Sequence, residues 1–114
     1  MRRAGGAHRG LDMWLVQRAS AVYLALFIPL AVFWLLACQP GDHAAWQTLF
    51  QPVAVKVGVL LFVLALVIHA WIGLREIFID YVQVLLLRLG LYFLFATLYA
   101  ACLVWAVDIL WSVP

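Results

Sequence analysis

Residues 57–74, with the sequence VGVLLFVLALVIHAWIGL, decide the fold class of this chain. They include no Asp, Glu, Lys or Arg, and two similar uncharged stretches occupy residues 19–39 and 89–107. Each stretch has roughly 18–21 residues, which is the helix length that crosses a hydrocarbon core about 30 Å thick at about 1.5 Å per residue. Because backbone groups inside a bilayer must be hydrogen-bonded within their own segment, all three stretches are predicted to be helices.

The composition of the whole chain agrees with a membrane protein. Of its 114 residues, 69% are hydrophobic and 11% are charged, and the mean hydropathy is +1.13. A soluble domain has roughly 25% charged residues, and a small one buries only about 60–70% of its surface, so a water-soluble domain is excluded. Disorder is excluded too, because it requires low hydrophobicity. We therefore predict one all-α membrane domain over residues 1–114, with a tail at 1–18 and helices at about 19–39, 53–75 and 84–108.

The placement of the basic residues predicts the orientation of the three helices. Arginines are found before the first helix and between the second and third, at Arg2, Arg3, Arg9, Arg18, Arg75 and Arg88. The connection at 40–51 and the C-terminal end have none. Since Lys and Arg favour the cytoplasmic side, we expect a cytoplasmic N-terminus and a periplasmic C-terminus. The tail has no apolar core, so it is not expected to be a signal peptide.

His69 is the strongest candidate for chemistry within the predicted helices, because polar groups in a bilayer are costly. The residues one helical turn before and after it are small, Ala65 and Gly73. A flat macrocycle bound to the imidazole needs such clearance, which makes His69 a candidate axial haem ligand. The alternative is a histidine that hydrogen-bonds a neighbouring helix, with small residues allowing close packing. A second histidine ligand would have to come from a partner, since His8 lies in the tail and His43 in the outer connection.

Three further residues near the cytoplasmic side are candidates for a quinone or haem site. The hydroxyl of Tyr81 can donate to a quinone carbonyl, and Asp80 beside it can relay protons. The alternatives are an interfacial tyrosine and a solvated carboxylate. Arg18, where the first helix begins, can clamp a haem propionate or contact lipid phosphate. Phosphate-binding loops, nucleophile motifs and metal-ligand spacings are not found in the sequence.

Several of these motifs, in this order, resemble a known family. They are residues 17–22 (QRASAV), residues 69–73 (HAWIG), residues 80–82 (DYV), and Arg88 at the start of the last helix. Together they resemble the small hydrophobic membrane-anchor subunit, the D subunit, of bacterial succinate dehydrogenase, over essentially the whole chain from Asp12 onward. Two features depart from that family: no histidine aligns near the start of the first helix, and residues 83–84 are Gln-Val where relatives have Lys-Pro.

The resemblance implies a cofactor set and a set of partners. It implies that His69 gives one ligand to a haem b shared with a second membrane subunit, the C subunit or cytochrome b556, which packs with this chain as a helix bundle. It also implies that Tyr81, with Asp80 beside it, binds ubiquinone, and that Arg18 lies near the haem propionates or the quinone. A flavoprotein subunit with FAD and an iron–sulfur subunit would dock on the cytoplasmic face of the bacterial inner membrane.

The expected function is therefore that of an anchor for electron transfer from succinate to quinone, with no catalysis by this chain alone. A fumarate reductase anchor would have the same fold and topology, because the direction depends on the quinone and the partners. A structural or assembly membrane protein without a cofactor is the alternative from a different class.

Overall fold

The computed structural model describes the backbone of residues 4–114 and the side chains from residue 10 onward. In this part of the chain the structure is all-helical, without a β-strand, and the helices are α1 (Ala4–Cys38), α2 (His43–Phe50), α3 (Val53–Tyr81) and α4 (Leu85–Trp111). The apolar part of α1 (Gly10–Cys38), α3 and α4 are each long and apolar enough to cross a membrane. The predicted all-α fold with three candidate membrane spans is confirmed.

The helices extend beyond the hydrophobic stretches from which they were predicted. Helix α1 starts at Ala4, so most of the segment expected as a tail is helical. Helix α3 continues to Tyr81, so residues 75–81 form its last turns, and it ends where Val82 adopts an extended backbone (φ −105°, ψ 102°). The bilayer sets the length of the apolar segment, but a helix continues until its backbone is interrupted. Residues 1–3, and the side chains of His8 and Arg9, lie outside the described part of the chain.

The short helix α2 was not predicted from the sequence. Asp42 is its N-cap, and the carboxylate accepts a hydrogen bond of 2.8 Å from the backbone N–H of Ala45. A carboxylate at this position satisfies a donor that the first helical turn leaves free. Helix α2 lies at the end of the bundle opposite the connection between α3 and α4, and it contacts α3.

Helix α3 packs between α1 and α4. On the α1 side, the Tyr23 hydroxyl donates to the Gly58 carbonyl at 3.2 Å, and the rings of Phe27 and Phe62 stack with centroids 4.7 Å apart. On the α4 side, α3 and α4 are joined by a cluster of aromatic rings. The cluster consists of Trp71, Phe78, Tyr92, Phe95 and Tyr99. At about 100° per residue, Trp71 and Phe78 lie about 160–180° around α3 from His69. The aromatic contacts therefore direct His69 away from α4.

Lys56 and Val113 join the first turn of α3 to the C-terminal end of the chain. The Lys56 side chain is buried at 7% exposure, and its Nζ donates to the Val113 carbonyl at 2.8 Å. A lysine near the end of a membrane span commonly extends its ammonium group outward to water. In the structure its ammonium group is instead bound by a backbone carbonyl, which is possible because α3 begins and α4 ends at the same end of the bundle.

Most large apolar side chains of the described residues are exposed. Phe33, Leu86 and Phe93 have exposures of 70%, 81% and 77%, whereas the buried apolar residues are Leu24, Ile72, Phe78 and Leu110. Such surfaces are stable only in contact with lipid or with other apolar helices. The bundle is thin, with extents of 60 × 28 × 21 Å. Its outer apolar faces are therefore available to a bilayer and to partner helices.

Candidate functional site

His69 contacts Ser20 across the interface between α3 and α1. The imidazole is partly buried, and its Nδ1 lies 3.1 Å from the Ser20 hydroxyl oxygen. Ser20 is 7% exposed and also donates to the Gln17 carbonyl at 2.9 Å. Within the described residues, no hydrogen bond to His69 Nε2 is found. The contact is expected for a packing histidine and equally for a ligand histidine oriented through Nδ1, so the two alternatives share this geometry.

Open space lies beside His69 on the side of Gly73. A Cβ added at Gly73 would meet no other atom within 4 Å. The clearance that the sequence predicts next to the imidazole is therefore present in the chain. No group of three or more His, Cys, Asp or Glu residues that could hold a metal ion occurs among the described residues. One imidazole with room at its side suits a haem iron, because the macrocycle supplies the four equatorial ligands.

Arg18 lines a cavity at the end of the bundle that carries Arg18, Arg75 and Arg88, which we call the basic end. The cavity has a volume of about 670 Å³, and Gln17, Arg75 and Glu76 also line it. The Arg18 guanidinium lies 5.4 Å from the centre of the Trp14 ring, at cation–π distance. Among the described residues that line it, two guanidinium groups and one carboxylate give this cavity a net positive charge. It can therefore bind an anionic group such as a carboxylate.

Gln17, which is one of the residues that line the cavity, has an unsatisfied acceptor in its side chain. The side-chain oxygen of Gln17 is buried and is without a hydrogen-bond partner among the described residues. A buried amide oxygen without a donor costs free energy, roughly 1–3 kcal/mol. A donor from a ligand, a water molecule or a partner chain would remove this cost.

Asp80 and Tyr81 lie in the last turn of α3, at the same end of the bundle but apart from the Arg18 cavity. Tyr81 is 80% exposed, and it is not among the residues that line the cavity. The Asp80 side chain is exposed, and its backbone carbonyl accepts a hydrogen bond of 3.1 Å from the Gln83 side chain. Twelve residues separate Tyr81 from His69, or about 18 Å along the helix axis. The structure brings Arg18 to Arg75 but does not bring it to Tyr81.

Ser20 was not identified as a site residue from the sequence. The first predicted helix has two hydroxyl groups, Ser20 and Tyr23, and both bond to α3, at His69 and Gly58. Hydroxyl groups in membrane helices commonly pair across helix interfaces. The presence of a serine in a neighbouring span is therefore a sequence signal that could have identified Ser20 as a partner of the intramembrane histidine.

The fold and this site define a class, a multi-pass helical membrane protein with a histidine–serine pair between two of its spans and a positively charged cavity at one end. Residues 2–107 match the family model described as the succinate dehydrogenase/fumarate reductase transmembrane subunit. The succinate dehydrogenase hydrophobic membrane anchor subunit of Coxiella burnetii (strain RSA 493 / Nine Mile phase I) is 33% identical over 105 residues, which cover 92% of this chain and 91% of that protein. The chain belongs to the succinate dehydrogenase/fumarate reductase transmembrane subunit family.

The family resemblance predicted from the motifs is therefore confirmed. Membership makes the chain a membrane-anchor subunit of a larger complex, with partner subunits and a lipid bilayer as its surroundings. The exposed apolar faces of α1, α3 and α4 are those of a subunit that is covered by both.

Proposed function

We propose that this chain is the membrane anchor of a succinate dehydrogenase in a bacterial inner membrane, where it supplies half of a haem b site and part of a ubiquinone site. His69 is the observation that carries the proposal. It lies within the apolar span of α3, where an unpaired polar group is costly, and its Nδ1 contact and the open space at Gly73 are compatible with a ligand histidine. In this proposal Nε2 of His69 binds the haem iron, and the bound haem supplies a one-electron redox centre within the bilayer.

The other iron ligand belongs to a partner in this proposal. His43 lies in α2, at the opposite end of the bundle from Arg18, so it is not placed to face the same iron. A second membrane subunit, the cytochrome b556 C subunit, provides the second histidine. Arg18 serves the haem propionates or the quinone, supported by the positive charge of its cavity with Arg75.

The quinone is proposed to bind at Tyr81. Its hydroxyl donates to a quinone carbonyl, and Asp80 beside it passes on the protons that quinone reduction takes up. Both side chains are exposed in the isolated chain, which suits a site whose remaining walls come from the C subunit and the iron–sulfur subunit. Electrons reach that site from a flavoprotein with FAD through iron–sulfur clusters, all held by the partners.

The proposed orientation places the basic end in the cytoplasm. Arg18, Arg75 and Arg88 lie there, whereas Asp42 caps α2 at the other end. Positive residues favour the cytoplasmic side of a bacterial membrane. The soluble subunits, which bind succinate, are then on the same side as Tyr81.

Replacing His69 with alanine tests the haem role. The complex is purified through this chain in mild detergent, and a reduced-minus-oxidised spectrum is recorded together with the subunit composition. The b-type band should be lost in His69→Ala and kept in His43→Ala, which removes an exposed histidine of α2. An unchanged band in His69→Ala would overturn the haem proposal and leave a packing histidine.

The family description also includes fumarate reductases, which provide the second candidate function. The same purified complex distinguishes the two directions. Faster succinate oxidation with a ubiquinone than fumarate reduction with a quinol supports the succinate dehydrogenase proposal, and the reverse supports a fumarate reductase. A colourless preparation without a flavoprotein and an iron–sulfur protein supports a structural or assembly role instead.

A further inference from the structure

Ser20 has two polar neighbours and only one proton to donate. Its hydroxyl oxygen lies 2.9 Å from the Gln17 carbonyl oxygen and 3.1 Å from His69 Nδ1. A carbonyl can only accept a hydrogen bond, whereas an imidazole nitrogen donates or accepts according to its tautomer. Only one arrangement of the protons makes both contacts hydrogen bonds at the same time. Ser20 then donates to Gln17, and His69 Nδ1–H donates to Ser20.

This arrangement fixes which nitrogen of His69 carries the proton. With the proton on Nδ1, the lone pair of Nε2 is free and can bind a metal. If Ser20 instead donated to Nδ1, the neutral imidazole would carry its proton on Nε2, which cannot then act as a ligand. Ser20 is buried at 7% exposure, so bulk water is not available to replace either of its contacts.

We propose that Ser20 is a positioning residue, which holds His69 in the tautomer and ring orientation needed for iron binding through Nε2. The purpose of this tautomer rests on the haem role proposed above, but the hydrogen-bond arrangement does not. Ligand histidines commonly donate their other ring N–H to an oxygen acceptor, which raises their basicity, and removing that acceptor weakens metal binding about 10–100-fold. Here the acceptor is an uncharged hydroxyl on a different helix from the ligand. The contact therefore also couples the ligand to the packing of α1 against α3.

The first test compares Ser20→Ala with Ser20→Thr in the purified complex. Ser20→Ala removes the acceptor, and Ser20→Thr keeps a hydroxyl. Ser112→Ala is the matched control, because Ser112 makes the same contact to a carbonyl three residues earlier, Ile109, but is exposed and bonds no histidine. The readouts are the rate of haem transfer to an excess of an apo-globin and the midpoint potential of the haem.

Ser20→Ala should transfer haem about 10–100-fold faster than the unaltered complex. Its midpoint potential should rise, because a less basic imidazole stabilises ferric iron less well. Ser20→Thr and Ser112→Ala should match the unaltered complex in both readouts. Unchanged haem transfer and potential in Ser20→Ala would overturn the positioning role.

The second test reads the tautomer directly and needs no haem. Nitrogen-15 NMR of the full-length, haem-free chain in detergent distinguishes a protonated from an unprotonated ring nitrogen. His69 should be protonated at Nδ1 in the unaltered chain, and a proton on Nε2 would overturn the proposal even if Ser20→Ala fails to accumulate. The haem role is tested independently of this result, because it is overturned only if His69→Ala retains the haem band.

Discussion

Gly73 provides a direct measure of whether a macrocycle fills the space beside His69. An added Cβ at this position meets no atom of the chain within 4 Å, and leucine forms helix more readily than glycine by roughly 0.8 kcal/mol. Helix α3 should therefore still form in Gly73→Leu. His69 lies one turn away, where Cβ atoms are about 5–6 Å apart, so a macrocycle on His69 would contact the new side chain. Overpacking costs about 1–3 kcal/mol, which corresponds to about 5–140-fold weaker haem binding at about 1.4 kcal/mol per factor of ten.

The assay is haem transfer from the purified complex to an excess of an apo-globin. Changes in affinity among variants of one site are found mostly in the dissociation rate, so Gly73→Leu should release haem about 5–140-fold faster. Gly90→Leu is the matched control, because Gly90 is a glycine of α4 that also has no atom within 4 Å of an added Cβ. Transfer from Gly73→Leu at the rate of the unaltered complex would refute a haem beside Gly73. Equal acceleration by both variants would refute it as well, since the effect would then be general.

Three further predictions concern the quinone residue and the two contacts that join α3 to its neighbours. Tyr81→Phe should slow quinone reduction about 2–12-fold, through loss of one hydrogen bond of about 0.5–1.5 kcal/mol, while reduction of a soluble dye is unchanged; equal quinone rates would contradict the role. Lys56→Met removes the bond to Val113, so hydrogen exchange of the backbone amides at residues 112–113 should be faster, as measured by mass spectrometry, whereas Lys56→Arg should keep it slow. Tyr23→Phe removes the bond to Gly58 and should lower the free energy of unfolding in detergent by about 0.6 kcal/mol; no change would mean that water replaces this bond.

The three membrane helices could be predicted because a bilayer imposes a single length and a single polarity on each span. Charged residues mark where the apolar segments end, but they do not mark where helices end. Arg75 and Glu76 are compatible with continued helix, and α3 continues past them to Tyr81. Helix α2 was missed since eight residues are too few for a span, and the connection at 40–51 was interpreted only from its lack of basic residues, not from the N-cap that Asp42 provides.

The contacts between helices could not be predicted in the same way. Whether Ser20 meets His69 depends on the rotation and relative depth of α1 and α3, which the packing of the whole bundle determines. The burial of Lys56 has the same origin, because its partner Val113 is far away in the sequence. Local patterns in the sequence do identify the candidates, since an intramembrane histidine and a lysine near a span each require a partner.

The packing of α3 against its neighbours orients His69 but does not orient Tyr81. Ser20 holds one side of α3 near His69, and the aromatic contacts of Trp71 and Phe78 with α4 hold the other side. The proposed haem ligand is thus oriented within this chain before any partner binds, which lowers the cost of ordering it on binding. Tyr81 lies beyond these contacts and is 80% exposed, so its position is left to the surfaces that cover the basic end. On this basis, loss of the soluble subunits should weaken quinone binding at Tyr81, as measured by titration with a quinone analogue, while the haem remains bound between the two membrane subunits.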